Sequence, residues 1–452
     1  MRSSLVSLLS LPAAVLGALT VNLDDNDSIK AAAKLVAQDL LEGYYPPWIG
    51  TPGWTLGILP GPPPDGDYYW WQGGAMWGTL LDYYRWTGDD TFNNVTSQAL
   101  LAQAGPGIDF KNKNWTASLG NDDQAFWGMS AMIAAEIAFE DPPEDQPQWL
   151  ALAQGVFNDQ TAAQLRDGGC GIGLRWQISP YNNGYNYKNT IANACFFNIG
   201  ARLARYTGNE TYERWANETY SWLLDVGYVT SNYSVYDGGY IEDNCTTPTQ
   251  QQFSYNSGTL LQGAAVMYDY TKSDYWLQEV KKLITAIEAR FFKDGVGHEP
   301  ECEDSGTCTS DMTTYKGFVA RWMAYTAKLV PDTADGIMAL LKTSAQAAVK
   351  TCTGGDNGRQ CGFAWSTGVF DEAGAGQQMD VISALTALLA LDAPAPVTNS
   401  TGGTSQGDPD AGDSNTDTEE LAAITTGDKA GAAILTILAI VLASGSLWWM
   451  IK

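Results

Sequence analysis

The chain has 452 residues, of which 45% are hydrophobic and 12% aromatic, so it carries enough apolar material for one large folded domain or two ordinary ones and is not disordered throughout. Its formal charge of −26 argues against nucleic acid or an anionic membrane surface as a partner. The one histidine, His298, argues against imidazole zinc sites, Ser-His-Asp triads and histidine relays, and it reads as packed or solvent-facing.

In chain order, residues 1–18 combine a basic start, an apolar run over 5–16 and the small residues Gly17-Ala18, the pattern of a secretory leader cut near Gly17 or Ala18 rather than a buried first helix. Helices are then expected near 27–42, 72–86, 89–104, 122–140, 145–165, 188–206, 209–226, 256–271, 273–292, 311–329, 332–351 and 375–391. The turn Trp86-Thr87-Gly88-Asp89-Asp90-Thr91-Phe92 echoes in Tyr206-Thr207-Gly208-Asn209-Glu210-Thr211-Tyr212 and more weakly in Tyr270-Thr271-Lys272-Ser273-Asp274-Tyr275. Each is an aromatic helix end, a Gly or polar C-cap, then an N-cap for the next helix. With Asp141-Pro142-Pro143 and Val330-Pro331-Asp332, the turns recur about every 60 residues, one hairpin plus a connection per repeat. Twelve antiparallel helices in six hairpins make an all-α (α/α)6 toroid over 19–392; an open solenoid shares the same periodicity. In a toroid the inner helices are apolar nearly all round, which suits the helix after Asp122, and the long inserts such as 43–71 and 168–187 gather at one end.

Residues 393–427 read as a polar linker, and 428–452 as an apolar tail closed by Lys452. Small residues, a polar spacer and a terminal apolar stretch are the pattern for replacement by a glycosylphosphatidylinositol (GPI) anchor at Ser414 or Asn415, with a single-pass membrane span as the rival. Cell-surface export fits the seven cysteines, none in a C-x-x-C pair, with Cys302–Cys308 and Cys352–Cys361 as expected disulfides and one thiol left over and buried. Sequons at Asn26, Asn94, Asn114, Asn209, Asn217, Asn232, Asn244 and Asn399 together favour a glycosylated exterior.

The chemistry is expected at Asp122 and Asp123, where a loop enters an apolar helix. Capping explains such acids when taken alone. Tandem acids at the head of an inner helix also repel, and one can then hold a proton at neutral pH. Adjacent helical residues point about 100° apart, so both can face one sugar only if the first sits at an irregular helix start. A separation of ~5–5.5 Å would make the pair a retaining glycosidase, and ~6.5–9.5 Å an inverting one. Asp89-Asp90 and Asp24-Asp25 read as caps, and Glu301, Glu303 and Asp304 as a solvated loop. Sugar-stacking aromatics with amides beside them are expected at Tyr68-Tyr69-Trp70-Trp71-Gln72, at 171–176, at 185–189 and at Tyr255-Asn256, though packing between hairpins accounts for at least half of them. No spacing implies a metal or an organic cofactor.

Five motifs in combination carry a resemblance: Trp70-Trp71-Gln72-Gly73-Gly74, Asn121-Asp122-Asp123-Gln124, Tyr187-Lys188-Asn189-Thr190, Asp237-Gly238-Gly239 and Tyr255-Asn256-Ser257-Gly258. Over about 20–392 the chain resembles glycoside hydrolase family 76, the endo-α-1,6-mannanases, and within it the fungal glycolipid-anchored members of cell-wall assembly. The resemblance implies an (α/α)6 barrel and a retaining mechanism, with Asp122 as nucleophile and Asp123 as general acid/base. Trp70, Trp71, Gln72, Trp176, Lys188, Asn189, Asp237, Tyr255 and Asn256 are the candidate sugar-binding residues. The donor would be α-mannan or the mannose core of a GPI glycan, with wall glucan as an acceptor; hydrolysis and transglycosylation would use the same residues. The competing readings are a catalytically silent mannan-binding surface protein and a different (α/α)6 enzyme, an inverting glucosidase or a lyase. A lyase of this kind would rely on a His/Tyr/Arg set that a lone His298 supplies poorly.

Overall fold

In the computed structural model, which describes residues 17–112, 114–115, 119–412 and Thr436, the sequence from Asn26 onward winds into twelve α-helices. These are α1 (Asn26–Tyr44), α2 (Trp70–Thr87), α3 (Asn93–Ala102), α4 (Asn121–Glu136), α5 (Trp149–Gln160), α6 (Thr190–Thr207), α7 (Glu210–Asp225), α8 (Ser254–Thr271), α9 (Asp274–Phe291), α10 (Tyr315–Leu329), α11 (Ala334–Lys350) and α12 (Ala375–Thr386). Two short antiparallel pairs interrupt them: β1 (Tyr187–Asn189) with β2 (Gly238–Tyr240), and β3 (Phe292–Lys293) with β4 (Val296–Gly297).

The even-numbered helices form an inner ring in which each packs on the next, and α12 packs on both α10 and α2. That contact closes the ring, so the toroid holds and the open solenoid does not. Five outer helices each follow their inner partner through one of the recurring turns. The sixth hairpin joins the two ends of the domain, α1 lying against α12. Burial follows the layers. In α4 every residue except Asp122 and Asp123 is buried, whereas α7 buries only one stripe, including Tyr212, Ala216, Thr219, Tyr220 and Leu223. Close approach of inner helices needs residues without bulk: a Cβ on Gly74 of α2 would stand 2.8 Å from the Trp127 ring of α4.

Several helices are shorter than expected, each for a local reason. The Asp89 side chain takes the Thr91 N–H and holds a turn, so α3 begins at Asn93 rather than 89. Ala138 adopts a left-handed φ of 47°, which stops α4 at Glu136. Residues 187–189 pair as β1, so α6 starts at Thr190, capped by the Asn189 side chain.

All six inner helices present their N-termini to the same end of the ring, and the partial positive charges of their first turns converge there. Deeper in the ring, charged side chains cross between helices. Arg321 of α10 pairs with Asp82 of α2 (3.0 Å), and Arg202 of α6 with Glu136 of α4 (2.7 Å), all four buried.

Disulfides join Cys302 to Cys308 and Cys352 to Cys361 as expected, and Cys170 to Cys245 across 75 residues of sequence, leaving Cys195 free and buried. Every sequon asparagine except the half-buried Asn217 is exposed. The polar segment expected to hang free from 393 is instead a strap on the ring as far as Gly412. Its Val397 N–H donates to the Glu136 carbonyl, its Ser405 hydroxyl takes the Leu150 N–H at the head of α5, and Asn158 donates to the carbonyls of Pro409 and Ala411. Small polar residues with free backbone groups satisfy helix ends here. Residues 1–16 of the expected leader, the expected anchor sites Ser414 and Asn415, and the tail 428–452 apart from Thr436 lie outside the described residues.

Candidate active site

A cavity of about 420 Å³ opens at the N-terminal end of the inner ring. It is walled by first turns and the loops feeding them: Trp71 from α2, Asp122, Asp123 and Phe126 from α4, Asn189 before α6, Tyr255 from α8, and Asp311 and Tyr315 at α10. Tyr69, Trp176, Gln177, Tyr187 and Asp237 complete the wall.

The two aspartates meet there for a reason other than the expected one. Helix α4 begins at Asn121 with Gly120 as its N-cap, so both acids sit inside a regular first turn. Side chains in a first turn lean back toward the N-terminus, and these two close over Gly120. Asp123 Oδ2 accepts the Gly120 N–H at 2.6 Å, while Asp122 Oδ1 accepts the Asp123 N–H at 3.0 Å. A Cβ on Gly120 would run into Asp122 Oδ1 and lie 2.9 Å from Asp123 Oδ2. Asp122 Oδ1 and Asp123 Oδ2 are therefore no more than about 5 Å apart, a closeness that agrees with a retaining pair. Capping and convergence are one arrangement, made possible by the missing side chain at Gly120. The loop is pinned from behind by Asn121 N–H to the Trp176 carbonyl (2.7 Å) and Gln160 to the Asn121 carbonyl (2.7 Å).

Burial first, then the Asp123 charge, pushes the Asp122 carboxyl well above its ordinary value, while donation from Asn189 and from the first-turn N–H pulls it back. Burial raises Asp123 to about 7; the Gly120 N–H opposes this and the Asp311 charge adds to it. Such a pair shares one proton near neutrality. The donors decide where it sits. Both oxygens of Asp122 accept, Oδ2 from Asn189 Nδ2 at 3.0 Å, whereas Asp123 spends one oxygen on Gly120 and keeps the other for a hydrogen. By its hydrogen bonds Asp122 is dressed as the anion and Asp123 as the acid, against the stronger upward push that burial and the Asp123 charge exert on Asp122.

Of the other candidates, Trp71, Trp176, Asn189, Asp237 and Tyr255 line the cavity. Tyr187 Oη donates to Asp237 Oδ2 at 2.8 Å, and burial raises that carboxyl. Trp70, Gln72, Lys188 and Asn256 do not line it. Trp70 stacks on Trp127 at 5.0 Å and donates to Gln103, so it packs between helices. Gln72 caps α2 by accepting the Tyr69 N–H and donates to the Ser310 carbonyl. Lys188 turns inward to the carbonyls of Arg166 and Gly169, tying down the loop before Cys170. Asn256 is fully buried beside Asp237.

Sequence reasoning missed Asp311, Tyr315, Gln177 and Phe126, and it named the aromatic clusters holding Tyr69 and Tyr187 without singling out either residue. Asp311 accepts the Trp71 indole N–H at 3.0 Å, and burial raises it to about 6. Its signal was its place: an acid at the mouth of an inner helix, as Asp122 and Asp123 are. Glu303, expected in a solvated loop, is instead buried against Lys316 at 3.1 Å, while Asp304 stays exposed. Among the described residues no lysine or arginine lines the cavity, and four carboxylates do, so the site is built for neutral or cationic sugars.

A profile of glycosyl hydrolase family 76 matches residues 28–400. The mannan endo-1,6-alpha-mannosidase DCW1 of Saccharomyces cerevisiae is 43% identical over 436 residues, covering 95% of each chain. The mannan endo-1,6-alpha-mannosidase DFG5 of the same yeast is 40% identical, covering 96% of this chain and 94% of its own. Among solved structures, Dfg5 from Chaetomium thermophilum in complex with glucosamine superposes with a TM-score of 0.84 at 51% identity, over 86% of this chain and 97% of that one.

Proposed function

The chain belongs to glycosyl hydrolase family 76, and from that premise we propose that it is a cell-surface retaining endo-α-1,6-mannosidase or mannosyl transglycosylase acting on α-mannan or the mannose core of a GPI glycan. One observation carries this: a close, half-buried carboxylate pair in the wall of an aromatic-lined cavity, with one acid dressed as an anion and the other free to hold a proton.

Asp122 attacks the anomeric carbon while Asp123 passes its proton to the departing glycosidic oxygen, leaving a mannosyl ester on Asp122. Asp123, now ionised, removes a proton from an incoming hydroxyl, which takes the mannosyl group and frees Asp122. Water as the acceptor gives hydrolysis; a sugar hydroxyl, such as one on wall glucan, gives transfer. Trp71, Trp176 and Tyr255 offer faces for the C–H side of the sugar, and Asn189 holds Asp122 in line. A relative crystallised with glucosamine fits an acidic cavity that also welcomes an amino sugar. A leader at 1–18 and a GPI anchor at Ser414 or Asn415 would place the enzyme at the plasma membrane or, after transfer, in the wall.

The test is to incubate the purified protein with α-1,6-mannooligosaccharides, with and without an acceptor glycan, and to map products by mass spectrometry. Asp122→Asn is expected to lower turnover by at least ~10³-fold. Identical products from wild type and variant would show that Asp122 is not the nucleophile. Glycan binding without turnover, unchanged by Asp123→Asn, would favour the silent mannan-binding protein instead.

A further inference from the structure

The Tyr255 and Tyr315 rings lie parallel in the cavity wall, with centroids 3.9 Å apart and an interplanar angle of 6°. They come from the first turns of two different helices, α8 and α10, so nothing in either helix fixes their alignment. Their chain neighbours, Ser254 and Lys316, reach instead into one loop, 298–308, closed by the Cys302–Cys308 disulfide and fed by the β3–β4 hairpin. Glu299 of that loop accepts the Ser254 N–H at 3.2 and 3.3 Å and also its hydroxyl. Glu303 accepts from Lys316 Nζ at 3.1 Å and from the Glu299 N–H at 3.0 Å, which ties the two acids into one unit. Asp380 of α12 holds the Gly317 N–H at 2.6 Å and so braces α10 from its far side.

Both glutamates are buried, and neither touches the cavity. Burying acids costs free energy that apolar residues of like volume would not. A loop serving only to fill space would do better without them. What the carboxylates add is direction: each fixes the backbone or side chain next to one ring of the stack.

We propose that Glu299 and Glu303 are positioning residues, a bracket that holds the face-to-face Tyr255–Tyr315 stack in place as a rigid part of the wall against which a sugar packs. This rests on the glycosidase reading, because it presumes that the wall receives a sugar. The bracket acts on binding through the wall and stands apart from the carboxylates that make and break bonds. Its loss is therefore felt in KM and leaves kcat nearly intact.

The test is a double-mutant cycle in the secreted enzyme on α-1,6-mannotetraose, with Glu299→Gln, Tyr255→Leu and the pair combined. Each single variant is expected to raise KM about 5–20-fold with kcat within about twofold, and the double variant to be no worse than the weaker single, since both break the same wall. Glu303→Gln is expected to act in the same direction. Additive KM effects, an unchanged KM, or a fall confined to kcat would overturn the bracket. If Glu299→Gln does not fold, Ser254→Ala removes the hydroxyl from the same contact and must still raise KM without lowering kcat. Absence of turnover in wild type would sink the glycosidase reading instead. The same cycle read as mannotetraose affinity by calorimetry then decides the bracket by the same criterion.

Discussion

Asp123 can donate a proton only while it holds one, and burial with the Asp311 charge keeps its carboxyl protonated up to about pH 7. Activity should therefore fall as pH rises through about 7, since the acid form is lost there. Removing the Asp311 charge weakens Asp123's hold on its proton, so Asp311→Asn should move this alkaline limb of kcat/KM to lower pH; a limb that stays put would show that Asp311 does not act on Asp123. The close approach at Gly120 gives a second test. Gly120→Ala pushes a methyl into Asp122 and against Asp123, and it should lower kcat/KM by about 10²-fold while the melting temperature stays within a few degrees. At this scale the sequence was half legible. Two adjacent acids before an apolar run stand out in one dimension, whereas Asp311 and Tyr315 join the site only through ring closure. Trp70 and Lys188 looked like ligands because aromatic and cationic residues bind sugars and also pack; which they do depends on the face of the helix or strand they occupy.

The helices themselves were readable because each carries its own start and stop. The recurring turn works through a left-handed residue after the inner helix: Gly88 and Gly208 have φ of 74° and 71°, and Lys272 holds the same place at φ 54°. A side chain pays for that conformation and glycine does not. Lys272→Gly should stabilise the fold by about 0.5–1 kcal/mol in urea unfolding. The exposed Lys272–Asp269 pair that it removes is worth little, and Asp269 keeps Arg205. A loss of stability would mean that the ion pair outweighs the backbone. Helix ends were misjudged where a side chain outside the periodic pattern intervened, as Asp89 does at the head of α3. The irregular helix start thought necessary for Asp122 was not needed, because the geometry of a first turn over a glycine brings both acids together.

Closure of the ring is a property of the whole chain. It depends on α12 meeting α2, on α1 lying against α12, and on ion pairs that span helices, such as Asp82–Arg321 and Glu136–Arg202. None of these is local in sequence, so a period near 60 predicted hairpins without deciding between a ring and a solenoid. Arg202→Met should cost about 3–5 kcal/mol, because it leaves Glu136 buried without its cation; a change below 1 kcal/mol in chemical unfolding would show that the crossing pairs do not hold the ring. The strap at 393–412 was hidden by its composition, since polar and small residues read as linker until the helix ends that they satisfy are known. It leads along α5, whose C-terminal end lies beside the cavity, to the described limit at Gly412.

At the centre is the claim that Asp122 and Asp123 stand close enough for a double displacement. Proton NMR of the products, recorded before mutarotation, reads this directly: wild type acting on an α-1,6-mannooligosaccharide should release the new reducing end first as the α-anomer. A β-anomer appearing first would mean a single inverting step and would contradict the assignment of both carboxylates.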